Sequence, residues 1–181
     1  ISGLAGIHLI LQNNTIINLK LSGFLLFYEK LNFFNRLILG FLSLLIIINF
    51  LGSFAPPLII DDLKYHFMLP NEYIQTGYIS FIDHFSRSNL PILTEMLWTL
   101  LIAIDCAELC HFINVIFGIW CILWIWAICS YLELSRSSQF LAFMFFYSIS
   151  VVTTISQSGM VELNSTVFFL AGVFILLLRN N

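Results

Sequence analysis

The chain has 181 residues, of which 60% are hydrophobic and only 9% charged, with a formal net charge of −3 and a mean hydropathy of +0.96. A soluble domain carries about 25% charged residues, so this chain lacks the polar surface that water would require. The composition excludes a soluble enzyme. With no basic patch or stripe, it also gives no footprint for nucleic acid.

The expected architecture is all-α, a polytopic transmembrane helix bundle with an extracytoplasmic loop of short interfacial helices. The chain opens at Ile1 and stops at "LLLRNN", just past an apolar run, and is expected to be part of a longer protein. It lacks a basic n-region and a small-residue cleavage site, so no signal peptide is expected. Residues 1–36 read as the remnant of an earlier span or an interfacial segment. Crossing a bilayer core takes about 20 apolar residues in helix. Residues 37–55 meet that requirement and end at Pro56-Pro57, which cannot continue a helix. Further spans are expected at 107–133, 137–158 and 161–178, the last of them short. The apolar stretch 92–104 is too short to cross and reads as interfacial or re-entrant.

Basic residues favour the cytoplasmic side. Lys30 and Arg36 precede the first span, Arg136 lies in the short loop after the second, and Arg179 follows the last run. With these four on one side, the loop 56–106 and residues 156–162 share the other, non-cytoplasmic side. The tryptophans of "FGIWCILWIWAIC" (Trp120, Trp124, Trp126) read as lipid-facing or packing residues. Cys106, Cys110, Cys121 and Cys129 read as small packing residues. Cys106 and Cys110, with His111 beside them, could share a helix face, but a zinc site would need further ligands.

Charge gathers in the outer loop, which holds Asp61, Asp62, Lys64, Glu72, Asp83 and Arg87 with His66 and His84. Asp61 or Asp62 is expected to cap a short helix over "LKYHFML", with Pro70 breaking it. A further turn over "NEYIQT" would close at Gly77. Tyr65, Phe67, Tyr73, Tyr78 and Phe81 are expected at headgroup level. The acidic pair sits just beyond an apolar run. Partial desolvation beside a like charge raises proton affinity, which suits a general base. Glu162, in "SQSGMVELNSTVFF", is expected to approach this pair from the far end of the chain, unless it merely complements a helix N-terminus. The sequons Asn13-x-Thr15 and Asn164-x-Thr166 are short enough to arise by chance.

The series "APP…DDLKYHFMLPNEYIQTGYI…SNLPILTEMLWTL" resembles the first extracytoplasmic loop of bacterial polytopic glycosyltransferases of the C type (GT-C). These are relatives of polyprenyl-phosphate-sugar mannosyl- and arabinosyl-transferases. The corresponding residues are Pro56, Pro57, Asp61, Leu63, Tyr65, His66, Leu69, Pro70, Tyr73, Gly77, Ser88, Asn89, Pro91, Thr94, Glu95, Met96 and Leu97. "GMVELNSTVFFLAG" resembles a later loop of that family, in which an aspartate more often stands at the position of Glu162. Ile60 and Asp62 depart from the pattern, which leaves open which acid matters; Asp61 takes the family's aspartate position.

The resemblance implies an inverting sugar transfer from a polyprenyl-phosphate donor to an acceptor hydroxyl of a glycan, lipid or protein. It would occur at the non-cytoplasmic face of a bacterial inner or plasma membrane. Asp61, Asp62 and Glu162 would then be the catalytic candidates. Lys64, Tyr65, His66, Arg87, Asn89 and Glu95 would contact substrate. Some GT-C enzymes use a divalent metal; the spacing here predicts none. The alternative is a transporter or lipid-handling protein using its boundary carboxylates, although acids at helix centres would suit transport better. A third reading is a membrane subunit without catalysis of its own.

Overall fold

The computed structural model describes residues 28–56, 59–79 and 93–179, and within them all regular structure is helical. Three helices are long and apolar enough to cross a membrane: α1 (Phe33–Gly52), α4 (Leu109–Tyr131) and α7 (Glu162–Arg179). Between α1 and α4 lie a π-helical turn (Asp62–His66), α2 (Met68–Thr76) and α3 (Leu93–Ala103). Between α4 and α7 lie α5 (Arg136–Ser148) and α6 (Ser150–Ser156).

Helix α1 starts earlier than its hydropathy suggests, because Asn32 accepts the Asn35 N–H at 2.8 Å. That side-chain cap satisfies a donor the helix start would otherwise orphan and draws Arg36 into the first turn. The span expected over 137–158 is not straight. It breaks at Ile149, whose extended backbone (ψ 123°) sets α5 and α6 at 69° to one another. Helix α3 is an 11-residue apolar helix, too short to span, in keeping with the expected interfacial segment.

Two differences in the loop have local causes. Pro70 does not break a helix; it stands in the first turn of α2, where the missing N–H would have had no helical partner. Neither acid caps the helix by its side chain, as Asp61 precedes the π-helical turn without a capping bond. Gly77 does close α2, at φ +75°, a conformation that costs glycine nothing.

The core is built in sections along the bundle. Ile38 and Leu42 of α1 pack on Ile122 of α4 and on Phe140, Phe143 and Tyr147 of α5. Helix α7 joins α4 through Leu163, Val167 and Cys121. The backbone of α4 comes close to α5 at Gly118, where an added Cβ would lie 3.0 Å from the Tyr147 ring. Leu37, Leu44, Leu51, Phe168, Phe169 and Ile175 face outward. A soluble protein rarely exposes so wide an apolar surface, but lipid solvates it.

The loop layer has its own core. Tyr65, Leu69 and Tyr73 pack with Met96, while Trp98 and Leu101 of α3 pack on Cys110 of α4. Tyr65 and Tyr73 are therefore buried within this layer, Tyr78 is exposed and Phe81 lies outside the described residues. Leu69 of α2 and Met96 of α3 give these short helices a shared core, and docking packs the tyrosines into it.

Candidate functional site

Chain direction places the C-termini of α1 and α6 and the N-termini of α4 and α7 at one end of the bundle. The loop layer covers that end, and the connection Gln157–Val161 runs through it. Separate elements fasten the backbone of this connection. Trp98 of α3 donates its indole N–H to the Gly159 carbonyl at 2.7 Å. Asn114 of α4 donates to the Ser158 carbonyl at 2.6 Å and to that of Met160. Asn164 of α7 donates to the Thr94 hydroxyl. Buried amides that find carbonyl partners in this way avoid the cost of an unmade bond, about 1–3 kcal/mol each.

Asp62 belongs to the same set. It is fully buried, and its Oδ2 accepts the Gly159 N–H at 3.0 Å across 97 residues of sequence. Its other oxygen, Oδ1, is buried without a hydrogen-bond partner. Burial pushes the carboxyl above its ordinary 3.8. The Gly159 N–H and the nearby rings of His111 and His66 pull the other way, while Glu162 adds a small push upward. Burial prevails because a carboxylate loses more hydration than one N–H and two imidazoles restore.

A cleft of about 240 Å³ opens onto Asp62, lined also by Ala55, Pro56, His111, Gln157 and Ser158. His111, in the first turn of α4, is 3% exposed, and its Nε2 likewise lacks a partner. Its ring meets Phe67 edge-on at 5.7 Å. A second cleft of about 360 Å³, walled by Phe54, Leu63, Phe67 and the carboxylate-bearing Glu108, shares Ala55, Pro56 and His111 with the first. The two clefts thus adjoin at His111. Asp62 Oδ1 is closed off from solvent in this conformation, so a hydroxyl in the first cleft reaches it only by a shift of the cleft wall.

The sequence-derived candidates fall into three groups. Asp62 lines the cleft; Glu162, exposed at the start of α7, lies within its electrostatic reach but lines neither cleft. Asp61, the acid favoured by the resemblance, is half-buried and does not line the cleft. His66 and Glu95 were expected to contact substrate but meet each other instead, Nδ1 to Oε1 at 3.0 Å, both buried. Such a carboxylate fixes which imidazole nitrogen carries the proton, so the pair holds the π-helical turn against α3. Tyr65 is a core residue of the loop layer and Lys64 is exposed. Arg87 and Asn89 lie outside the described residues.

Sequence reading missed His111 as a site residue, noting it only as a partner for Cys106 and Cys110. Its signal was a lone imidazole one turn inside an apolar span, which is costly without a role. Among the described residues, no three His, Cys, Asp or Glu side chains gather as a metal site. No family model matches this chain, and no curated protein or solved structure is detectably similar to it.

Proposed function

We propose that this chain is part of a membrane glycosyltransferase of the GT-C kind, in which Asp62 is the base. The donor is a sugar on polyprenyl phosphate and the acceptor is a hydroxyl. The observation that carries the reading is the Asp62 carboxyl itself. It is buried, anchored by one oxygen to Gly159, and has its second oxygen unpartnered beside an open cleft. A carboxyl held this way takes a proton readily and is rigid enough to be aimed.

In the reaction, the acceptor oxygen forms a bond to the anomeric carbon while its proton passes to Asp62. The bond from that carbon to the phosphate oxygen breaks on the opposite face, and polyprenyl phosphate leaves with the electron pair. Configuration inverts. His111 stands where the two clefts meet, and its ring would face developing negative charge on the phosphate, with Glu108 in the second cleft opposing it. Arg36, Arg136 and Arg179 lie at the other end of the bundle, which supports a non-cytoplasmic site by the basic-residue rule.

The test is transfer from a radiolabelled polyprenyl-phosphate sugar by membranes carrying the full-length protein. Wild type is compared with Asp62→Asn and Asp61→Asn at matched expression. Loss in Asp62→Asn alone is expected. Loss in Asp61→Asn alone would return the role to Asp61, and full transfer by both variants would sink the carboxylate mechanism. One observation favours the transport reading instead: the 69° break between α5 and α6, since broken helices build ion sites in transporters. Cation or proton flux in proteoliposomes, abolished by Asp62→Asn while no sugar moves, would select it.

A further inference from the structure

A larger cleft, of about 630 Å³, lies in the other half of the bundle between α1, α4 and α5. Its size falls within the roughly 300–1,000 Å³ of ordinary ligand pockets. Its walls are Leu39, Leu42, Ile122, Leu123, Phe140 and Phe143. Its polar residues are Ser130, Arg136 and Gln139, all at the end of α4 or in the first turn of α5. The cleft is therefore graded along the helix axis. From Ser130 to Ile122 the helix rises about 12 Å at about 1.5 Å per residue, running from the charged mouth into the apolar core.

We propose that this cleft is a binding site for an anionic phospholipid of the surrounding bilayer. The headgroup phosphate would sit on Arg136 and one acyl chain would lie along Leu123 and Phe143. The grading argues for this occupant. A lipid in a bilayer has its charge at the interface and its chain parallel to the spans, and the cleft repeats that order. A hydrophobic helix would match the walls but would leave a guanidinium facing apolar side chains. A zwitterionic lipid would bring an ammonium beside Arg136. The guanidinium has five N–H donors, enough to serve a phosphate while keeping its own contacts within the protein. Basic pockets between spans are a recurrent setting for acidic headgroups. Leu123 and Trp126 are about half exposed, at 49% and 53%, so the cleft has an open side for lipid to enter. The site is independent of the chemistry at the Asp62 end.

The experiment uses the full-length protein in vesicles containing photoactivatable phosphatidylglycerol or phosphatidylcholine, with the labelled peptides identified by mass spectrometry. Phosphatidylglycerol should label the peptides carrying Leu39, Leu123 and Phe143 in preference to phosphatidylcholine. Arg136→Gln, at an exposed position, should lower that yield about fivefold, the worth of one interfacial cation, and lower the choline lipid's yield less, because its ammonium offsets the phosphate the two lipids share. Leu123→Trp, which fills the cleft from its exposed wall, should reduce labelling by both lipids. Equal labelling of wild type by the two lipids would overturn the proposal, as would an Arg136→Gln variant labelled like wild type. Absence of label because another protein segment or a second copy fills the cleft would also overturn it.

Discussion

Replacing Asp62 separates two roles that one side chain combines. Asn keeps an oxygen that can accept the Gly159 N–H but puts an amide nitrogen where the free carboxylate oxygen stood. Ala removes both oxygens. Leaving the buried Gly159 donor unsatisfied costs about 1–3 kcal/mol, so Asp62→Ala should be less stable than Asp62→Asn by about that amount. Both should lose transfer by about 10²–10⁴-fold, the usual contribution of a positioned base. The pH dependence gives a further signature. Because burial raises the Asp62 carboxyl above 3.8, the folded protein keeps this proton where the unfolded chain has lost it. The stability it contributes is complete below 3.8 and lost as pH rises through the folded-state value. Asp62→Asn has no such loss, so its stability relative to wild type should improve with rising pH. The assays are thermal aggregation of detergent-solubilised protein over a pH series and sugar transfer in membranes. Equal stability of the Ala and Asn variants would refute the Gly159 anchor. A wild-type pH slope in Asp62→Asn would refute the burial argument.

Other residues give independent outcomes. Trp98→Phe keeps most of the buried ring but strips the donor to Gly159, and should destabilise by about 1–3 kcal/mol, read as a lower unfolding temperature. Glu95→Leu leaves His66 Nδ1 without its acceptor and should cost a similar amount, whereas Glu95→Gln, which retains an oxygen, should recover most of it. Gly118→Ala crowds Tyr147, which is fully buried, and overpacking of this kind costs about 1–3 kcal/mol. Gly52→Ala clashes with the amide end of the Gln157 side chain, which can swing away, and meets its Cβ at an ordinary 3.4 Å, so it should fold normally by the same measurement. Reversal of that order would mean that α4 and α5 are not packed as described.

The spans were legible along the chain because crossing lipid is a demand on local composition. Residues 37–55, 107–133 and 161–178 each announce themselves by an apolar interior, with acids only near the ends of the last two (Glu108, Glu133 and Glu162), and α1, α4 and α7 occupy them within a few residues. Gly77 was legible for a similarly local reason, since a left-handed C-cap selects glycine. The convergence of residue 62 with residues 157–162 was also within reach, because the parity of the spans brings those loops to one end.

What parity could not decide was which side chain enters the cleft. Asp61 and Asp62 are adjacent, equally charged and equally compatible with a loop. Only the docking of the loop layer, α2 on α3 and α3 on α4, buries Asp62, hands one of its oxygens to Gly159 and leaves the other buried without a partner beside the cleft. The same docking buries Tyr65, His66 and Glu95 and pairs the last two with each other. Pro70 moved from helix breaker to helix starter because a neighbouring turn, not its own identity, set the helix boundary. His111 drew little notice in an apolar run because its significance is a neighbour, Asp62, that lies 49 residues earlier in the sequence. Composition selects the solvent and places the helices; the contacts between them choose which polar atoms remain unsatisfied, and therefore where a ligand can bind.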